Sequence, residues 1–344
     1  PPAAAARPNR PQAAAVRSPP YTQDSTRARD RNQLTTDIAV IGTGMMGPGI
    51  AACLALAGHR VCLFGRTAQS MDRGLDAARG AVDLLRREGL VGSAQAGSSA
   101  ERLCGTTDPA AAVGTAQFVF ESIVEVLTEK QKLFSQLERL APKAAIFASN
   151  TSGLPISRIA EVLENPRRAA TTHFWNPAHL MPLVEIVKGE RTSDETVARL
   201  RSLLDGAGKQ TVVVLKDVPG QLGNRLLHAL FREAFHIVQE GIASVEDVDL
   251  AIKTGPGLRF PAYGLLEHAD MIGLDMQLAI DSYLFAELCN LAEAPALLEE
   301  RVARGDLGAR TGRGLYDWSG KDADAVRARR DRFIIDRLKE RAMR

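Results

Sequence analysis

The stretch that most constrains this chain is "DIAVIGTGMMGPGIAACLALAGHRVCLFG", residues 37–65. An apolar run meets a glycine-spaced loop (Gly42, Gly44, Met45, Met46, Gly47), a small-residue helical pattern closes at Gly58, and a second apolar run follows at once. A strand, a helix and a strand in so short a stretch is a crossover unit with parallel strands. Runs that are apolar on both faces need covering on both sides.

The same alternation continues. A helix is expected from about Gln69 to Glu88, then strands at "AQFVFESI" (116–123), "AAIFASN" (144–150) and "KQTVVVLKD" (209–217), with helical "EKQKLFSQLERLA" and "ISRIAEVL" between them. Residues 35–217 therefore read as a doubly wound α/β domain. The turn "VPG" (218–220) marks a boundary, and helix signals dominate beyond it. "NRLLHALFREAFHIVQEG" stops at Gly241, and "SVEDVDLAIKTG" opens on Ser244 as N-cap with Asp247 three places on. An all-helical domain over 218–344 is expected.

Composition enters through residues 1–34. They hold six arginines against Asp24 and Asp30, so the net +2 of the whole chain leaves −2 for the remainder. Clustered positive charge for nucleic acid or an anionic membrane surface is missing from that remainder. The segment is rich in Pro, Ala and Arg and reads as a disordered tail, with an organelle-transit reading left open. Four cysteines without metal-type spacing read as reduced thiols of a cytoplasmic protein. No metal site is expected, and no run approaches the length of a membrane span.

Glycines after a first strand let backbone N–H groups at a helix start approach a pyrophosphate, so the loop predicts a dinucleotide site. An acid normally ends the second strand and takes the ribose hydroxyls of NAD. Here Gly65, Arg66 and Thr67 stand there. A glycine leaves room for a 2′-phosphate, and Arg66 with a hydroxyl can bind one, which favours NADP(H). NAD(H) remains the alternative, with Arg66 lying over the adenine.

"THFWNPAHLMPLVEIVKG" (172–189) carries the chemistry. Period-two reading puts Glu185 on a face otherwise apolar, so it is expected buried and paired. Asn176-Pro177 turns the chain back after His173. A carboxylate on one imidazole nitrogen fixes the tautomer and makes the other a better base. Glu185 is thus expected to orient His173.

With these motifs in order, the chain from Asp37 through Trp318 resembles the 3-hydroxyacyl-CoA dehydrogenase family. The matching segments are "AVIGTGMMGPGIA", "ESIVEVLTEKQKLF", "IFASNTSGLPISRIA", "HFWNPAHLMPLVEIV", "KDVPGQLGNR" and "GARTGRGLYDW". The resemblance implies a Rossmann-type N-terminal domain and a helical C-terminal domain of the 6-phosphogluconate dehydrogenase C-terminal-like kind, which dimerises. It implies His173 as general base with Glu185 as its partner, and Ser152 and Asn224 on the reacting oxygen. It also implies Asn150 and Asn176 at the nicotinamide and Glu125 and Lys130 against the cofactor. The reaction implied interconverts a 3-hydroxyl and a 3-oxo group of a small-molecule acyl-CoA substrate, as in fatty acid metabolism.

Two departures bear on the substrate. Where acyl-CoA relatives present a hydroxyl residue and a lysine to CoA, this chain has Ala81 and Glu88. "GPGLRF" looks more like relatives that oxidise free hydroxy acids, such as carnitine and L-gulonate dehydrogenases, and Arg259 then either pairs with a substrate carboxylate or is a surface arginine. The same chemistry on a non-CoA hydroxy acid or ring alcohol is thus the alternative, and a non-catalytic dinucleotide-binding protein the reading from another class. Hydroxyisobutyrate-type dehydrogenases share "GRT" but use a catalytic lysine whose motif does not appear here.

Overall fold

The apolar runs become the strands of one sheet. The computed structural model describes residues 35–343, and the expected tail over 1–34 lies outside the described residues. The strands are β1 (Asp37–Ile41), β2 (Arg60–Phe64), β3 (Leu103–Thr106), β4 (Phe118–Glu121), β5 (Ile146–Ser149), β6 (Ala169–Phe174), β7 (Leu183–Val187) and β8 (Gln210–Val214). They lie in the order β3-β2-β1-β4-β5-β6-β7-β8. The order reverses between β1 and β4, where open α/β sheets leave a crevice at the strands' carboxyl ends.

Every pairing is parallel except β6 with β7. The link from Trp175 to Pro182 is too short for a crossover, so β7 must return antiparallel. That return sets His173 directly opposite Glu185 in register.

Helices α1 (Gly47–Leu56), α2 (Ala68–Arg87), α3 (Ser93–Arg102), α4 (Pro109–Val113), α5 (Leu127–Leu140), α6 (Ile156–Ile159) and α7 (Asp194–Gly206) complete this half. One face of the sheet packs Val40, Leu63 and Phe120 with Ile50, Leu54 and Leu200. The other packs Ile41 and Phe147 with Phe134, Leu137 and Ile156. The expected helix "ISRIAEVL" is only α6 followed by a 3-10 turn over Ala160–Val162. The Asn165-Pro166 step beyond it disfavours helical backbone at Asn165.

The second half is helical, as expected: α8 (Gly223–Gln239), α9 (Val245–Thr254), α10 (Pro256–Arg259), α11 (Leu265–Ile272), α12 (Leu274–Leu284), α13 (Ala296–Ala303) and α14 (Ala323–Ala342). Ser244 caps α9, its hydroxyl accepting the Asp247 N–H at 3.1 Å. No residue of α8 through α13 is buried, and Leu226, Phe231 and Leu278 are 52%, 43% and 67% exposed. An apolar surface of that extent on a helical layer marks an unmet packing face.

Helix α14 behaves differently. It returns to the first half and seats Ile335 (3% exposed) among Ala52, Leu56, Ala81, Val82, Leu85 and Ala96. Glu88, just past α2, anchors it through Arg332 at 2.6 Å and Lys339 at 3.0 Å. Among the described residues no helix is long and apolar enough to cross a membrane.

Candidate active site

A cleft of about 1440 Å³ opens at the carboxyl ends of β1, β4, β5 and β6. Its floor is the glycine loop. Gly42 has φ +118°, and a Cβ there would overlap the Ser122 carbonyl, while one on Gly47 would overlap the Gly42 carbonyl. Gly44 is different: a Cβ would meet nothing within 4 Å, so the chain keeps this position bare toward open space. Helix α1 starts on Met46 without a side-chain cap and without an acid in its first turn. Its N–H groups and positive dipole end are left to an anion in the cleft, which fits a dinucleotide pyrophosphate.

At the far end Arg66, Thr67, Ser70 and Arg73 line the cleft. The structure adds a packing reason for Gly65. Its Cβ position lies 2.7 Å from the Met71 nitrogen, so the first turn of α2 admits no side chain there, and Gly65 itself lines the cleft. Thr67 is also committed, its oxygen accepting the Ser70 N–H at 3.1 Å as the cap of α2. Arg66 remains at this end, and Arg73 joins it.

At the other end the side chains form one connected network. Glu185 is fully buried and takes four donors. Oε1 receives His173 Nδ1 and Trp175 Nε1, both at 3.0 Å, and Oε2 receives the backbone N–H groups of Leu222 at 2.9 Å and Gly223 at 3.0 Å. Burial pushes this carboxyl up, but the bonds from His173, Gly223, Leu222 and Trp175 outweigh it and hold it at about 2. An ionised carboxylate only accepts, so Nδ1 of His173 donates to it, and in the neutral ring the lone pair falls on Nε2. His173 is 6% exposed and lines the cleft.

Ser152 and Asn224 meet at the same place, with Asn224 Nδ2 donating to the Ser152 carbonyl at 3.3 Å. The loop carrying Ser152 is held from below by Glu125, whose Oε1 accepts the N–H groups of Ser152 at 3.0 Å and Gly153 at 3.1 Å and the Thr151 hydroxyl. Burial raises the Glu125 carboxyl, and these bonds with the Lys130 charge bring it below its ordinary range. Asn150 accepts the Phe174 N–H at 2.8 Å, tying β5 to the end of β6. Asn150, Asn176 and Glu125 all face the cleft.

Two expected site residues stand elsewhere. Lys130 is fully buried and does not line the cleft; its ammonium sits between Glu121 at 2.7 Å and Glu125 at 3.4 Å. It therefore holds Glu125 from behind. Arg259 is exposed at the end of α10 and does not line the cleft either. His179 is not a lining residue; burial first, then the Lys209 charge, lowers its proton affinity.

Sequence reading missed Trp175 as a donor to Glu185, and Gln221, which at φ +52° donates to the Thr151 carbonyl at 2.8 Å. Trp175 lay inside a quoted motif, and only its N–H distinguished it from a plain apolar ring. Gln221 lay inside another, "KDVPGQLGNR", where nothing distinguished its amide from that of any exposed glutamine.

Comparison with known proteins identifies the family. The family model for the 3-hydroxyacyl-CoA dehydrogenase NAD binding domain matches residues 37–218, and that for the C-terminal domain matches 220–318. The 5-formyl-3-hydroxy-2-methylpyridine 4-carboxylate 5-dehydrogenase of Mesorhizobium japonicum is 33% identical over 87% of this chain and 96% of its own length. A crystal structure of a dehydrogenase so named, described as an NAD+ dependent dismutase, superposes with a TM-score of 0.81 at 32% identity, covering 88% of this chain and 97% of that one. The probable 3-hydroxybutyryl-CoA dehydrogenase of Bacillus subtilis is 36% identical over 83% of this chain and 98% of its own. The L-carnitine dehydrogenase of Streptomyces coelicolor is 37% identical over 66% of this chain and 70% of its own. The glycine loop, the cleft beside it and both family matches make this chain a member of the 3-hydroxyacyl-CoA dehydrogenase family, an NAD(P)-dependent dehydrogenase acting on CH–OH groups.

Proposed function

We propose that this enzyme oxidises the secondary alcohol of a small non-CoA hydroxy acid or ring alcohol, with His173 as the base. The observation that carries the catalytic part is the His173 Nδ1–Glu185 bond of 3.0 Å at the end of the dinucleotide cleft, beside Ser152 and Asn224. A bound nicotinamide supplies the hydride acceptor. The chain's own groups handle the proton and the oxygen. His173 Nε2 takes the hydroxyl proton, Glu185 balances the imidazolium, and Ser152 with Asn224 donate to the oxygen as it gains carbonyl character.

The acyl-CoA reading led from sequence, and α14 supports the alternative. The two places where the resemblance puts CoA contacts are taken: Ala81 lies under Ile335, and Glu88 is engaged by Arg332 and Lys339. The relatives named for a pyridine carboxylate and for carnitine support the same choice. NADP(H) is the favoured cofactor on the strength of Arg66 and Arg73, with NAD(H) as alternative. The uncovered apolar face of α8 through α13 supports a homodimer built through the helical half.

The test is a substrate panel with both cofactors: acetoacetyl-CoA, carnitine, free 3-hydroxy acids and a secondary ring alcohol bearing a carboxylate. Turnover of a free acid or ring alcohol without turnover of the thioester is expected; efficient turnover of the thioester alone rejects the substrate class. His173→Gln is expected to lose about 10²–10⁴ in kcat while still binding dinucleotide. Unchanged turnover in that variant rejects the base.

A further inference from the structure

Glu185 divides its four donors unequally in kind. Oε2 serves two backbone N–H groups of the helical half, while Oε1 serves the His173 ring and one indole N–H, each at 3.0 Å. The imidazole and indole stand 5.7 Å apart between ring centres, at 53°, both directed to the same oxygen. A carboxylate oxygen that serves two donors gives each a weaker bond than it gives one alone. We infer that Trp175 is a positioning residue that limits how strongly Glu185 engages His173. The inference rests on the reading of His173 as the base.

The geometry gives the indole no other role for its N–H. Gly223 at the start of α8 packs so closely that a Cβ there would overlap the Trp175 ring. The indole is thereby pressed between the base pair and the helix that carries Asn224. A base gripped too firmly by its carboxylate stays protonated at working pH and cannot accept the alcohol's proton, whereas a moderated one can. Other charged groups on the surrounding elements are each engaged elsewhere. Glu125 holds the Ser152 loop and faces Lys130, Lys209 is bound to the Ala178 and Met181 carbonyls, and Arg225 on α8 donates to the Pro219 carbonyl. On β8, Thr211 through Val214 are uncharged. No second ionic partner competes for Oε1 among the described residues.

The experiment is Trp175→Phe in the full chain, read in two ways. The downfield Nδ1 proton of [15N]histidine-labelled protein, assigned with His173→Gln, is expected to move further downfield as its bond to Glu185 shortens. The acid limb of the kcat/KM profile for alcohol oxidation, measured on whichever panel substrate turns over, is expected to move up by about one pH unit. If Trp175→Phe does not fold, biosynthetic replacement of both tryptophans by benzothienylalanine, which keeps the shape and removes the N–H, gives the same two readouts. An unmoved Nδ1 proton with an unmoved acid limb overturns the role of Trp175. His173→Gln separates the two claims. If it keeps full turnover the base reading falls, and the proton shift alone still decides whether Trp175 shares the oxygen.

Discussion

Glu185, on a strand of the sheet, accepts the backbone N–H of Gly223, the first residue of α8, at 3.0 Å. One buried carboxylate thus seats the helical half and holds the ring of His173. Its charge has a signature in stability. The folded carboxyl sits at about 2 against an ordinary 4.5, so it contributes stability above pH 4.5 that is lost as pH falls toward 2. Urea midpoints of the parent are expected to fall through that window. Glu185→Gln should start lower and show a flatter decline, and parallel curves would contradict the assignment.

The glycine loop separates fold from ligand. Gly47→Ala is expected to destabilise strongly, because its Cβ overlaps a backbone carbonyl. Gly44→Ala meets no protein atom within 4 Å and should leave the melting temperature unchanged. Its methyl group should nevertheless weaken dinucleotide binding by roughly tenfold or more. Calorimetric titration of both variants checks this; equal affinity in Gly44→Ala would place the pyrophosphate elsewhere.

Cofactor preference should follow the arginines at the start of α2. Arg66→Ala is expected to weaken NADPH binding by about ten- to a hundredfold and NADH binding little, since one charge-assisted contact to a 2′-phosphate is lost. Arg73→Ala should act in the same direction. Equal losses for the two cofactors would mean that these side chains cover the adenine.

Helix α14 is held by burial more than by charge. Ile335→Ala removes a side chain that is 3% exposed and should destabilise by roughly 2–5 kcal/mol in urea unfolding. Glu88→Ala removes ion pairs to the solvent-reaching Arg332 and Lys339 and should move the midpoint less. The reverse order would show that the salt bridges, and not the apolar seat, fix the helix.

The uncovered helical face predicts an assembly. Leu278, 67% exposed on α12, is a position where a charge should prevent pairing. Sedimentation is expected to give a dimer for the parent and a monomer for Leu278→Asp. A monomeric parent at micromolar concentration would leave that face without its partner.

Much of this was legible in the chain. The glycine spacing gave loop and helix because sterics at Gly42 and Gly47 admit nothing larger. Period-two reading buried Glu185, since a two-faced apolar strand cannot hide a carboxylate selectively. What escaped was contact between distant segments. Lys130 looked like a cofactor residue because its position fits the motif, yet its ammonium is enclosed by two glutamates. Gly65 lines the cleft, but that a side chain there would meet the backbone of Met71 is a contact no local pattern shows. Helix α14 reads as a charged helix with few apolar residues, and nothing in that pattern says which surface Ile335 meets.

The pairing of Glu88 with Arg332 spans 244 residues of chain. During synthesis the first half therefore emerges before the side chain that completes the cluster of Leu56, Ala81 and Leu85 has been made. That apolar seat can be closed by Ile335 only after nearly the whole chain has been translated.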